Sequence, residues 1–216
     1  MFCANEYMAQ LIRRLQETFG SRLVYAGLQG SYLRGEATEA SDIDPMVVIR
    51  DLGPADLAAY RSIVETLPHP WLSCGFLCGQ EELACWNALE IAQLVHGTKD
   101  FFGCLKELVP AYTADDLRAY LQLSLGNLYH ELAHRRVHAP LEKNRQKLPM
   151  TAKGVFFILQ GLYLLREGMF YPTRKELLRH LNKDDAAVMN LCCDDFDAAF
   201  DVLFNWCRRT LRGLQA

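Results

Sequence analysis

The chain has 216 residues, 50% of them apolar, with 23 lysines and arginines against 26 acidic residues and a formal net charge of -3. That length and apolar content suffice for one large domain or two smaller ones, each with its own core, and two is the expectation. The charge offers no global attraction to nucleic-acid phosphate or to an anionic membrane, so any polyanion must be met by a local site.

The first segment, Asn5 to Phe19, places Met8, Leu11, Ile12 and Leu15 at the spacing of one helical face, and Gly20 ends it. It lacks the unbroken apolar core of a signal peptide, which leads us to expect a cytoplasmic protein. Arg22 to Leu28 reads as a short buried strand that runs into a turn at Gly30. Ile43 to Ile49 reads as a second strand, with Pro45 marking an edge or a start outside the ladder. Pro54 to Thr66 returns to helical spacing with Leu57, Tyr60 and Val64 inward, and Trp71 to Cys78 reads as a third strand.

From about Asp100 the strands give way to helical patterns over Asp115 to Val137, Thr151 to Glu167, Thr173 to Leu181 and Asp194 to Leu211, separated by turn signals at Pro110, Pro140, Pro149 and Gly168 to Pro172. The expected fold is α+β: a small mixed twisted sheet flanked by helices over residues 1–105, then an all-α bundle over 106–216. The longest apolar run, GVFFILQGLYLL, falls short of the roughly 20 residues of a membrane span. The eight cysteines include no C-x-x-C pair and read as buried reduced thiols, not as a disulfide framework or as a zinc site built on Cys74, Cys78 and Cys85.

Chemistry concentrates in Leu28 to Ile49, LQGSYLRGEATEASDIDPMVVI. Residues two apart on a strand share a face, so Asp42 and Asp44 point together while Ile43 turns into the core. Two carboxylates at the mouth of a strand make a hard oxygen site suited to Mg²⁺, which takes its remaining ligands from water and substrate phosphates. Gly30 lets backbone approach a phosphate, and Ser31 offers a hydroxyl and an N–H to it. A pair of cations on these carboxylates would serve in-line attack on an α-phosphorus.

These residues resemble the polymerase β type nucleotidyltransferase superfamily, whose signature is Gly-Ser, about ten residues, then Asp-x-Asp on a strand. Arg34, Gly35 and Ser41 also match the G-S-x-x-R-G and S-D-I-D form, and the helical second half is similar to the bacterial antibiotic adenylyltransferases. The resemblance implies transfer of a nucleoside monophosphate, with ATP as the first choice of donor and two Mg²⁺ ions as cofactor. The acceptor it implies is a small-molecule hydroxyl such as that of an aminoglycoside or lincosamide, with no membrane or nucleic-acid partner. Protein modification by the same residues, and nucleotide binding without turnover, remain open. Arg34 reads equally as a phosphate contact or as a salt bridge holding the turn.

The superfamily usually adds a third acid from a neighbouring strand, yet Trp71 to Cys78 contains none. The resemblance points to Glu90, between a tryptophan and a T-K-x-x-x-G stretch, as catalytic base, with Glu81, Glu82 and Glu36 as rivals. It also points to Lys153, on a helix before G-x-x-x-P-T-R-K-E-L, as a nucleotide contact; a solvated lysine is the plain alternative. A competing pattern, His130-Glu131-Leu132-Ala133-His134, spells H-E-x-x-H and could hold zinc, but Arg135 and Arg136 follow at once and no third ligand is marked.

Overall fold

The computed structural model describes residues 3–215. The chain divides into two compact units, Met1–Ala111 and Tyr112–Ala216.

In the first unit, helix α1 (Ala4–Phe19) buries Met8, Leu11 and Leu15, the apolar stripe its spacing requires. A four-stranded sheet follows in the order β3-β2-β1-β4, built from β1 (Leu23–Gln29), β2 (Asp44–Ile49), β3 (Phe76–Gly79) and β4 (Lys99–Phe102). β1 runs antiparallel to β2 and to β4, whereas β2 and β3 are parallel, so the sheet is mixed. Helices α2 (Gly30–Arg34), α3 (Pro54–Glu65), α4 (Gln80–Ala84) and α5 (Ala88–His96) occupy the connections, and a 3-10 turn at Leu105–Glu107 follows β4.

Alternation along the strands creates two cores. Ala26, Leu28, Ile43, Val47 and Ile49 pack with α1 and the inner face of α3. Tyr25, Met46, Val48 and Cys78 pack on the other side with Leu83 of α4 and with Leu94 and Val95 of α5.

Several expectations change here. Pro45 lies in an inner strand and pairs with Leu28 of β1. It is tolerated because Gly75 stands beside it, where any Cβ would strike the Pro45 carbonyl and ring, and the β2–β3 ladder resumes at Met46 and Phe76. On α3 the inward residues are Tyr60 and Ile63, continued by Leu67 just past the helix, while Leu57 is 51% exposed. The third strand is shorter than expected: Pro70–Leu72 is a 3-10 turn, Trp71 is exposed, and only an isolated bridge joins Ser73 to Ile43. β4 carries Lys99 and Asp100 at its start, a charged pair that hides it from an apolar pattern.

The second unit is helical. α6 (Ala114–His138) begins in a capping box in which Thr113 Oγ1 accepts from the Asp116 N–H at 3.2 Å and Asp116 accepts from the Thr113 N–H at 2.7 Å. Its stripe of Leu117, Leu121, Leu125, Leu128 and Leu132 is buried. α7 (Leu141–Glu167) runs without a break through Pro149, where the sequence suggested a turn; Leu148 and Ala152, buried on either side, hold the helix together across the missing N–H. α8 (Arg174–Leu178), α9 (Lys183–Met189) and α10 (Phe196–Gly213) complete the unit, α9 lying where no helix was expected.

By length and composition α7 is long and apolar enough to cross a membrane, contrary to the expectation from its apolar run. Part of its apolar surface packs against α6, α9 and α10, while Met150 and Phe157 stay exposed. The cysteines also depart from expectation. All eight are free, but only Cys78 and Cys207 are buried, and Cys3, Cys74, Cys85 and Cys192 are exposed. Burial pushes the Cys78 thiol up to about 11 and the Cys207 thiol up to about 12.

Candidate active site

The site forms where β1 ends and β2 begins. The last rung of their ladder pairs Gln29 with Asp44. Immediately after it the chain turns at Gly30, whose φ of 73° is the left-handed region that glycine enters without a Cβ penalty. A Cβ at Gly30 would overlap Asp44 Oδ2, so the absence of a side chain is what lets the carboxylate lie on the Gly30 backbone.

Ser31 follows Gly30 in the single turn of α2, half-buried. Gly35, with φ 70°, closes that turn by donating its N–H to Ser31 and Tyr32 carbonyls. The return loop then carries the chain back to Asp42. There the Ser41 hydroxyl accepts from the Thr38 N–H at 2.9 Å and lies 3.3 Å from the Thr38 hydroxyl, so Ser41 braces a turn. Arg34 donates Nε to Glu36 Oε2 at 2.8 Å, the salt-bridge alternative of its two readings. Its charge also reaches Asp44, where it acts against a rise in the carboxyl's pKa.

Ile43 is fully buried, with Asp42 exposed and Asp44 half-buried on either side of it, the alternation a strand imposes. Burial first and the Asp42 charge second push the Asp44 carboxyl above its ordinary range. Two carboxylates held in mutual repulsion, one of them against an open backbone, are a donor set that a divalent cation relieves. Among the described residues no group of three or more His, Cys, Asp or Glu is placed to hold a metal ion, so a cation here would complete its shell from water and phosphate oxygens.

The sequence reading missed the polar network beside this pair. Gln29 Nε2 donates to Thr98 Oγ1 at 2.7 Å, and Thr98 in turn donates to the Leu94 carbonyl at 2.6 Å, tying the end of β1 to the approach of β4. One rung further in, Gly27 pairs with both Met46 and Asp100, which places Asp100 on the sheet face that carries Gln29 and Asp44. Tyr25 donates its hydroxyl to Asp100 Oδ1 at 2.7 Å, and Gly27 leaves the room its ring needs. The only signal in the sequence was the acid of Thr98-Lys99-Asp100.

β3 carries no acid. Glu90, in the first turn of α5, is exposed and accepts from Trp86 Nε1 at 2.7 Å. Glu81 and Glu82 open α4, and Glu36 is taken by Arg34. Lys153 lies in the second unit, exposed on α7. In the H-E-x-x-H stretch, His130 and His134 are exposed neighbours with ring centroids 5.8 Å apart, and Glu131 pairs with Arg135 at 3.1 Å.

Residues 8–71, which take in most of α1, both aspartates and α3, match the nucleotidyltransferase domain model. A solved structure of spectinomycin adenyltransferase AAD(9) from Enterococcus faecialis, with ATP and spectinomycin, superposes with a TM-score of 0.55 at 12% identity, covering 94% of this chain and 99% of that one. No curated protein matches in sequence. The strand-end aspartates thus lie in a stretch that matches a nucleotidyltransferase domain, within a chain whose α+β fold resembles that of a spectinomycin adenyltransferase.

Proposed function

We propose that the enzyme moves a nucleoside monophosphate, AMP from ATP in the first instance, onto a hydroxyl of a small acceptor of the aminocyclitol or aminoglycoside kind. The observation that carries this reading is the Asp44 carboxylate lying on the Gly30 backbone, beside Asp42 and at the start of Ser31. A strand end of this kind brings anionic oxygens and phosphate-binding amides into one place.

Asp42 and Asp44 would hold Mg²⁺, two ions with NTP bound, which when present neutralise the triphosphate and acidify the attacking hydroxyl. The chain's own residues do the rest. The Gly30 and Ser31 N–H groups and the Ser31 hydroxyl bind phosphate oxygens. Arg34 adds positive charge next to the aspartates while its Nε stays on Glu36. Glu90 takes the acceptor proton on Oε1, its Oε2 being fixed by the Trp86 indole. The acceptor class rests on the fold shared with AAD(9), a spectinomycin adenyltransferase.

The test is a pyrophosphate-release screen over several NTPs and a panel of aminocyclitols, aminoglycosides and lincosamides with Mg²⁺. Wild type is compared with the Asp42→Asn, Asp44→Asn double variant. Turnover confined to wild type supports the proposal, and equal turnover in both proteins ends it. A second reading, nucleotide binding without turnover, is favoured by the lack of an acid on β3; it expects ATP affinity and no pyrophosphate with any acceptor. Label from α-³²P-ATP appearing on protein instead of on drug would move the acceptor class to a polypeptide.

A further inference from the structure

The helical unit contains a polar cavity of about 710 Å³ whose lining includes no residue of the site above. That volume suits a small-molecule ligand. Four cationic side chains line it, Arg118, Arg166, Lys183 and Arg209, against the carboxylates of Asp184 and Asp185.

Its charges do not balance. Asp185 is 4% exposed and fully engaged: Oδ1 accepts from Trp206 Nε1 at 2.7 Å, and Oδ2 accepts from Arg166 Nη1 at 2.9 Å and Asn182 Nδ2 at 2.8 Å. Asp184 is taken by Arg209 Nη2 at 3.0 Å. Both anions therefore have a cation of their own. Among the described residues Arg118 approaches only Asp115, whose side chain is almost wholly in solvent, at 3.9 Å and beyond hydrogen-bond reach. Lys183 has no ion pair or hydrogen bond among the described residues. Two positive charges remain on the wall of a concave, polar cavity whose floor is locked by the Asp185 network.

We propose that this cavity binds a phosphate-bearing small molecule, with Arg118 and Lys183 as its charged contacts and the Arg166–Asp185–Trp206 network as its rigid base. Guanidinium and ammonium groups at one rim match a tetrahedral dianion better than a single carboxylate. The proposal is independent of the Asp42–Asp44 reading, because no residue is shared.

Isothermal titration with pyrophosphate in EDTA tests it, comparing wild type, Asp42→Asn, Lys183→Ala and the Arg118→Ala, Lys183→Ala double variant. Saturable binding is expected that weakens as salt rises, falls at least tenfold in the double variant and stays unchanged in Asp42→Asn. Inorganic phosphate and AMP distinguish a free phosphate from a nucleotide tail. Citrate bound as tightly as pyrophosphate, no saturation, or equal affinity in wild type and Lys183→Ala would each overturn the proposal. Should the double variant fail to fold, Lys183→Ala carries the test, with recovery in Lys183→Arg expected.

Discussion

The Asp44 carboxylate occupies the space that a side chain at Gly30 would need. Two elements are coupled by that contact: the turn after β1 can form only without a Cβ, and the first residue of β2 can aim its carboxylate along the sheet end only while the turn stays bare. Gly35 shares the left-handed φ of Gly30 yet faces open space. The two glycines thus separate backbone strain from site geometry.

Gly30→Ala and Gly35→Ala are each expected to lose about 1 kcal/mol of stability from the positive φ alone. Only Gly30→Ala should also displace Asp44, and its Mg²⁺-dependent pyrophosphate release should drop by about 100-fold or more, on the scale of lost positioning. Urea unfolding and initial rates for both variants check the pair of statements. Equal rates in the two would show that the overlap at Gly30 is relaxed at no functional cost.

Asp44→Asn is expected to stabilise the metal-free protein. Burial and the Asp42 charge raise the folded-state pKa of this acid, so its contribution to stability is present below the unfolded pKa and is lost as pH rises through the folded value. Around pH 8 the ionised Asp44 is a net cost in the metal-free protein, which the amide removes. Because the group is only half-buried, the gain should be modest, a rise of about 1–3 °C in Tm in EDTA. Added Mg²⁺ should raise the Tm of wild type and not that of the variant. A lower Tm in EDTA for Asp44→Asn would contradict the electrostatic argument.

The Gly-Ser and Asp-x-Asp spacing was legible because strand alternation is strict: with Ile43 fully buried, its two neighbours had to face the other way. Helical spacing was less decisive on α3, where Leu57 belongs to the same period as Tyr60 and Val64 but lies just off the face that Ala59, Tyr60 and Ile63 present to α1 and the sheet. Pro149 misled because a proline's local cost was outweighed by burial on both sides of it. β4 was invisible since Lys99 and Asp100 take up half of its four residues, and with it went Asp100, an acid visible only when register is known. A base cannot be chosen from spacing alone, because Glu90, Glu81, Glu82 and Asp100 are separated by three-dimensional pairing, not by sequence.

Asp56 links α3 to the sheet. It accepts from the Gly53 N–H at 2.8 Å, capping the helix, and from Arg22 Nη1 at 3.1 Å. The Arg22 guanidinium, with the Gly53 N–H second, holds its carboxyl below the ordinary range. A depressed folded pKa gives stability that is present above the unfolded pKa and lost as pH falls through the folded one. Asp56→Ala should therefore lower Tm clearly around neutral pH, with the difference from wild type shrinking steadily once the pH drops under about 4. Thermal melts of both proteins across that range check it, and a difference independent of pH would assign the effect to packing.

Asp185 offers the sharpest test of a buried charge in the second unit. Its carboxylate holds Arg166, Asn182 and Trp206 at once, joining α7, α9 and α10. Truncation leaves the Trp206 N–H, inside a side chain that is 2% exposed, without an acceptor. Removing one partner of such a buried pair costs about 3–5 kcal/mol, so Asp185→Ala should unfold the helical unit well below the wild-type midpoint in urea. Asp185→Asn keeps the shape and an acceptor for the indole while losing the charge facing Arg166, whose guanidinium is partly solvated and can turn to water. Its loss should be smaller, about 1–2 kcal/mol, the net worth of a charge-assisted hydrogen bond. Tryptophan fluorescence is the readout, because Trp206 loses its hydrogen bond in the alanine variant and keeps one in the asparagine variant. Equal losses in the two would mean that charge, and not the acceptor position, is what the three helices require.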